Sequence, residues 1–220
     1  MRRLVTALSL LVLMLLGAPR AALAQVVEPF ALDRFEPSPA GDRFFGVAGA
    51  DPAGQAAFRA IAVLDYAYRP LVLYRNDGDD DVGGIVSNQL FAHVGVSMSL
   101  FDRLNLSLNL PFALVTSGDS PTTSGIALDS PSGAAVGDLR AGLRLRLLGA
   151  PRGPVQLAVG GVLFFPTGDR AAYAGDDSVR GRPELVLSGE TDGLAYAVQS
   201  GVLLRPSRSF AGSEIGNEYA

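Results

Sequence analysis

From Leu104 to Leu114 the chain reads LNLSLNLPFAL, in which large apolar residues alternate strictly with Asn, Ser, Pro and Ala. A period of two residues is typical of a β-strand whose two faces have different surroundings. Two environments fit this pattern. The apolar face could pack in the core of a water-soluble sandwich, or it could face lipid while the polar face lines the interior of a barrel.

The same alternation recurs along most of the chain. The further segments are FRAIAVLDYAYR, NQLFAHVGVSMSL, DLRAGLRLRLL, VQLAVGGVLFF, ELVLSGE and LAYAVQSGVLLR. Their lengths are close to the roughly 9–11 residues that a tilted transmembrane strand needs. Helical spacing is absent from these segments, so the sequence predicts an all-β protein with seven strands and the start of an eighth.

The connections between these segments alternate between short and long. The short ones are Asp102-Arg103, GAPRGP and TDG, and the long polar ones are NDGDDDVGGIVS, TSGDSPTTSGIALDSPSGAAVG, PTGDRAAYAGDDSVRGRP and PSRSFAGSEIGN. This order is typical of outer-membrane barrels. We predict an antiparallel up-and-down transmembrane β-barrel of about eight strands over residues 58–220, preceded by an irregular, periplasmic N-terminal arm at residues 25–57.

The first residues have the pattern of a cleaved signal peptide. Met1-Arg2-Arg3 is followed by an apolar run, and Ala22-Leu23-Ala24 precedes Gln25. A basic start, an apolar centre and an A-x-A site are the marks of a secretory signal. We therefore expect residues 1–24 to be removed between Ala24 and Gln25, and we expect the mature protein to reach the outer membrane.

Composition argues against several functions. The formal net charge is -4, and the chain has one His and no Cys. The composition thus indicates no basic surface that could bind nucleic acid, and the lack of Cys excludes a thiolate metal site. The acidic run Asp77, Asp79, Asp80 and Asp81 lacks the spacing of a calcium loop. No catalytic motif stands out, so we expect no enzymatic activity, no metal and no cofactor, with outer-membrane lipid as the surrounding partner.

The polar face of the strands carries charges of both signs separated by small residues. Its candidate lumen-lining residues are Arg59, Asp65, Arg69, His93, Asp138, Arg140, Arg144, Arg146, Glu184 and Glu190. They could form a salt-bridged plug or line a narrow, charge-selective pore. Because about eight strands enclose an interior that side chains just fill, the plug is favoured. His93 is expected to form hydrogen bonds in the lumen rather than to act as a catalytic base.

Several stretches resemble a known family. FALDRFEPSPAGDRFFGV, DSPSGAAVGDLRAGLRLRL, FFPTGD and AYAGDDSVRGRPELVLSG resemble the N-terminal barrel region of bacterial OmpA-family outer-membrane proteins, over most of residues 29–213. The resemblance implies a barrel followed by a linker and a peptidoglycan-binding periplasmic domain. That domain is not present here, since the chain stops at AGSEIGNEYA, so we expect a truncated product. The PTGD loop also resembles a barrel family that transports aromatic compounds.

The sequence therefore favours an outer-membrane barrel with a structural, envelope-integrity or weak pore role. One alternative is a diffusion or substrate-specific channel for small solutes, aromatic ones among them. The other is a secreted soluble β-sandwich that acts as a binding module.

Overall fold

The computed structural model describes residues 29–52, 54–75, 80–123, 126–210 and 213–219. The regular elements in these ranges are all strands. They are β1 (Ala57–Arg75), β2 (Asp80–Leu100), β3 (Leu104–Ser117), β4 (Thr122–Thr123), β5 (Ile126–Ala127), β6 (Ala135–Val136), β7 (Leu139–Leu148), β8 (Gln156–Phe165), β9 (Arg180–Thr191), β10 (Leu194–Leu203), β11 (Arg208–Phe210), β12 (Ser213–Ile215) and β13 (Glu218–Tyr219). The predicted all-β class is confirmed. The predicted signal peptide and its cleavage site lie outside the described residues, as do Asp77 and Asp79.

The main sheet is an antiparallel meander. Its order is β1-β2-β3-β7-β8-β9-β10-β13, and β6 adds to β3, giving nine strands in one curled sheet. Each long strand pairs with the next long strand in the chain, as in an up-and-down barrel. Two small hairpins, β4–β5 and β11–β12, form separate sheets. No helix in the described part of the chain is long and apolar enough to cross a membrane.

The two faces of the strands are divided as the alternation predicts. On β3, Leu106, Leu108 and Leu114 are 38%, 49% and 45% exposed on the outer, convex side of the sheet, whereas Asn105 and Ala113 are buried. The outward leucines are therefore not the core of a sandwich. The polar row points to the inner, concave side.

The predicted irregular arm packs inside the curled sheet. Its described residues, 29–52 and 54–56, contain no strand, and they lie against the concave face. The Ser97 hydroxyl donates to the Ala40 carbonyl at 2.6 Å, and the Ala50 amide donates to the Ser188 hydroxyl at 2.8 Å. These contacts place the arm between β2 and β9. The arm carries the acids that the inward arginines contact, and its periplasmic location stays a prediction.

One predicted loop is largely strand. The stretch NDGDDDVGGIVS begins β2, and β1 and β2 stay paired from Ala57↔Ser99 to Arg75↔Asp80, with bulges after Tyr68. Ile85 and Val86 are buried in a cluster that also contains Phe30, Leu128 and Tyr173. This apolar cluster lies at the same end of the sheet as the long connections. It stabilises strand pairing where the polar composition predicts a loop.

The turn between β2 and β3 has an uncommon backbone. Phe101 and Asp102 have φ angles of 55° and 53°, and the Arg103 amide donates to the Leu100 carbonyl at 3.1 Å. A tight turn with positive φ at both central positions suits Asn-Gly far better than Phe-Asp. At positive φ, the Cβ atom of a residue crowds the following carbonyl oxygen, so the backbone at Phe101 is strained.

We predict that Phe101→Gly is more stable than Phe101→Ala by about 1 kcal/mol. Both variants lose the same exposed ring, so their difference isolates the strain of a Cβ at positive φ. Urea unfolding of the two variants in detergent micelles measures it. Equal unfolding free energies would mean that the turn is not strained at Phe101.

Candidate functional site in the concave interior

The register of β7 places a row of arginines inside the sheet. Arg140, Arg144 and Arg146 occupy even positions, and each is at most 8% exposed. Across the β3–β7 ladder, Arg140 faces Asn109 and Arg144 faces Asn105. All three were predicted as lumen-lining residues, and the concave face is where they lie.

Each of these arginines pairs with one acid of the arm. Arg140 contacts Asp33 at 2.6 Å, Arg144 contacts Asp42 at 2.9 Å, and Arg146 contacts Asp51 at 2.8 Å between guanidinium nitrogen and carboxylate oxygen. Each guanidinium also donates to a carbonyl oxygen, and these carbonyls belong to Phe35, Gly49 and Asp102 respectively. We call these three pairs the arginine ladder. Charge-assisted bonds of this kind are the strong ones.

Burial and charge oppose each other at the arm acids. Burial raises the pKa of the Asp42 carboxyl above its ordinary value, and the Arg144 guanidinium acts against that rise. The pKa of Asp33 is raised for the same reason and is opposed by Arg140. Loss of the arginine would therefore raise the pKa of the carboxyl further.

A second ionic group lies beside the ladder. Asp138 contacts Arg180 at 2.6 Å, and Arg180 also contacts Asp176 at 3.0 Å. The Arg180 guanidinium carbon lies 4.8 Å from the centre of the Phe164 ring. Asp138 additionally accepts the Gly168 amide at 2.9 Å. The group thus fixes the loop between β8 and β9 over the interior.

A third group joins the arm to the far strands. Arg182 contacts Glu36 of the arm at 2.7 Å and Glu184 at 3.5 Å. Glu184 also accepts the Gln199 side-chain amide at 2.8 Å. Glu190, at the turn end of β9, contacts Arg43 of the arm at 2.8 Å. Of the predicted lumen residues, Glu190 therefore contacts the arm directly, whereas Glu184 contacts Arg182, which in turn contacts the arm.

The remaining predicted residues are divided between the interior and the rim. Arg59 donates to the Ser99 hydroxyl at 3.2 Å, and Asp65 and His93 lie together on the concave face near Asp33. Arg69 is different. It sits at a bulge with a φ of 50° and contacts Asp81 at 2.5 Å, and both side chains are at least a third exposed. The register of β1 shifts after Tyr68, next to this position, and the described contacts of Arg69 do not include the arm. Its assignment to the lumen stays a prediction.

Several members of these ionic groups are not evident from the strand pattern of the sequence. They are Asp33, Glu36, Asp42, Asp51, Asp176, Arg180 and Arg182. One signal was present, since Asp33, Asp42 and Asp51 are spaced nine residues apart. Acidic residues at regular intervals, in a segment that lacks the two-residue period of a strand, are a signal that identifies the counter-charges of the inward arginines.

The arm does not fill the concave side completely. A cavity of about 330 Å³ remains between the arm and the sheet, and a second of about 320 Å³ lies next to it. The first is lined by Phe35, Asn105, Asn109, Arg140, Arg144 and Gln199, among others. Its volume is at the lower end of the range for small-molecule sites.

We predict that Asp42→Asn lowers the free energy of unfolding by about 3 kcal/mol, because it leaves the buried Arg144 cation without a counter-charge. Urea unfolding measures this loss, and faster trypsin cleavage after Arg43 reports release of the arm. Asp192→Asn, in the exposed β9–β10 turn, is the matched control and should stay within about 0.5 kcal/mol of the wild type. Equal effects of the two substitutions would mean that the ladder does not hold the arm.

In comparisons with known proteins, no family model, no curated protein and no solved structure matches the chain.

Proposed function

We propose that this chain is an outer-membrane β-barrel protein whose interior is occupied by its own N-terminal arm. Its role is structural, in envelope integrity, with at most weak conduction. The observation that carries the proposal is the inverted polarity of the sheet. Ionic groups are buried on the concave side, and a continuous row of leucines, valines and aromatic residues is exposed on the convex side.

The exposed apolar side supports lipid as the surrounding medium. On β7 Leu143 is 52% exposed, on β8 Leu163 is 50% exposed, and on β9 Leu185 is 50% exposed. Such residues on neighbouring strands make one contiguous apolar surface, which soluble proteins rarely expose to water. In a bilayer the same surface is favourable, and an apolar band of this kind is typical of transmembrane barrels.

The ionic attachment of the arm to the concave side supports a structural role over an open pore. The arginine ladder uses charges that would otherwise line a conducting path, and it fixes the arm across the middle of the sheet. The proposal assigns no enzymatic activity and no cofactor. The OmpA-like stretches and the signal-like N-terminus support export to the outer membrane. Any attachment to peptidoglycan would belong to a further domain of OmpA type and not to residues 29–219.

We expect the protein, expressed with its signal sequence, to be recovered in the outer-membrane fraction. Unheated and heated samples should migrate differently on a detergent gel, since a closed barrel resists unfolding at room temperature. Recovery in the soluble periplasm without a heat shift would overturn the proposal.

A pair of substitutions makes this test specific for lipid. Leu108→Arg, in the middle of β3, should lower stability in lipid vesicles by about 2–4 kcal/mol and weaken the heat-shifted band. Leu194→Arg places the same charge on an exposed residue at the turn end of β10, where the cost should be about 0–1 kcal/mol. If the convex face were exposed to water, neither substitution would lower the stability or weaken the heat-shifted band.

The cavity favours a second candidate function, a diffusion or substrate-specific channel. It is lined by side chains of both charge signs and by side-chain amides, which suits small polar solutes.

Planar-bilayer conductance separates the two candidate functions. The plugged barrel predicts little or no current from the wild type. It predicts larger current steps when Asp33, Asp42 and Asp51 are all replaced by Asn, because the arm is then released. Steady wild-type current that the triple substitution leaves unchanged would favour the channel.

A further inference from the structure

Three side chains from three separate segments meet on the concave face. Asp33 comes from the arm, Asp65 from β1 and His93 from β2, and one ligand atom from each lies within 4.8 Å of the others. The β1–β2 register pairs Asp65 with Phe91 and Val63 with His93, so Asp65 and His93 are diagonal neighbours on the same face. The arm then brings Asp33 over both of them.

His93 is the least satisfied polar side chain in this group. It is 0% exposed, and neither ring nitrogen has a hydrogen-bond partner of normal geometry within the described residues. The Asn109 side chain interacts with the ring, yet its own carbonyl oxygen also lacks a bonded partner. Buried polar groups are almost always bonded, so an imidazole left in this state needs an explanation.

The geometry resembles a ligand set more closely than a hydrogen-bonded pair. The His93 Nε2 atom lies 3.8 Å from the Asp33 Oδ2 atom, which is too long for a hydrogen bond. Two ligands of one tetrahedral zinc ion, each bound at about 2.0–2.2 Å, lie about 3.4 Å apart. To share an ion, His93 and Asp33 need to approach each other by about 0.4 Å, and Asp65 needs to approach them by at most about 1.4 Å.

We propose that His93, Asp65 and Asp33 bind a divalent transition-metal ion of the zinc type. One imidazole with two carboxylates suits Zn²⁺, Cu²⁺ or Ni²⁺, whereas Mg²⁺ and Ca²⁺ prefer oxygen ligands alone. Arg140 contacts the same Asp33 carboxylate at 2.6 Å. It orients that ligand and reduces the negative charge at the site to one, so binding is moderate rather than very tight. The motifs of the sequence predict no metal site, so this proposal differs from that prediction.

The ion would extend the attachment of the arm. The arginine ladder ties the arm to β7, and a metal ion would tie the same segment to β1 and β2 through Asp65 and His93. The arm would then be held from both sides of the curled sheet. This inference does not depend on lipid outside the sheet, because its ligands all lie on the concave face.

The chain contains a single histidine, which makes the test direct. The folded full chain, purified in detergent with a tag that contains no histidine, is titrated with Zn²⁺ by calorimetry. A Cu²⁺-loaded sample is examined by pulsed electron paramagnetic resonance, in which any nitrogen signal from imidazole must come from His93. We expect one equivalent of Zn²⁺ to bind, an imidazole signal with Cu²⁺, and no comparable binding of Mg²⁺.

Two substitutions and a control complete the experiment. His93→Gln should abolish the imidazole signal, and His93→Gln and Asp65→Asn should each weaken Zn²⁺ binding about tenfold or more, since even the loss of an outer-shell partner has an effect of that size. Asp192→Asn should bind as the wild type does. The far-ultraviolet circular dichroism spectrum of each variant verifies folding, and if His93→Gln does not fold, Asp65→Asn and the wild-type Cu²⁺ spectrum decide. Absence of stoichiometric Zn²⁺ binding, or binding unchanged by Asp65→Asn, would overturn the proposal.

Discussion

The burial of three guanidinium groups on β7 is the constraint on which the rest of the structure depends. Arg140, Arg144 and Arg146 cannot leave the concave face without reversing the strand, because alternate positions point to opposite sides. A buried cation is costly unless an anion and further hydrogen-bond acceptors meet it. The arm supplies both, with a carboxylate for each guanidinium and backbone carbonyls beside two of them. The position of the arm is thus a consequence of the position of the arginines.

The same constraint explains the division between the two faces. Once ionic groups fill the concave side, little apolar surface can be buried there, and the clusters that remain are small groups such as Ala48, Ala50, Ala158 and Val186. The large apolar side chains are left on the convex side, where Leu108 and Leu143 are about half exposed. A protein with this inverted arrangement gains stability from its surroundings rather than from a central apolar core. The proposed lipid environment is one in which that arrangement is favourable.

The faces of the strands could be predicted from the sequence, but the partners across the interior could not. Alternation is a local property, so the sides of Asn105 and Leu106 follow directly from their order in the chain. The pair Arg144–Asp42 joins residues 102 positions apart, and nothing local in the arm indicates which strand it meets. Burial of Ile85 was missed for a related reason. Its apolar partners, such as Phe30 and Tyr173, come from distant segments, so the acidic composition around it predicted a loop.

The spacing of the arm acids also determines how the arm fills the interior. From Asp33 to Asp42 is nine residues, which would span about 30 Å if extended. The arginines that they meet, Arg140 and Arg144, are only four residues apart, or about 13 Å along a strand. The arm must therefore fold back between its contacts. It does so at a turn where the Asp42 amide donates to the Pro39 carbonyl at 3.0 Å. Gly41 has a φ of 84° in this turn, and a side chain there would overlap Arg59. An arm that crossed the sheet in an extended form would leave most of the concave side empty, whereas one folded between fixed ionic contacts occupies it.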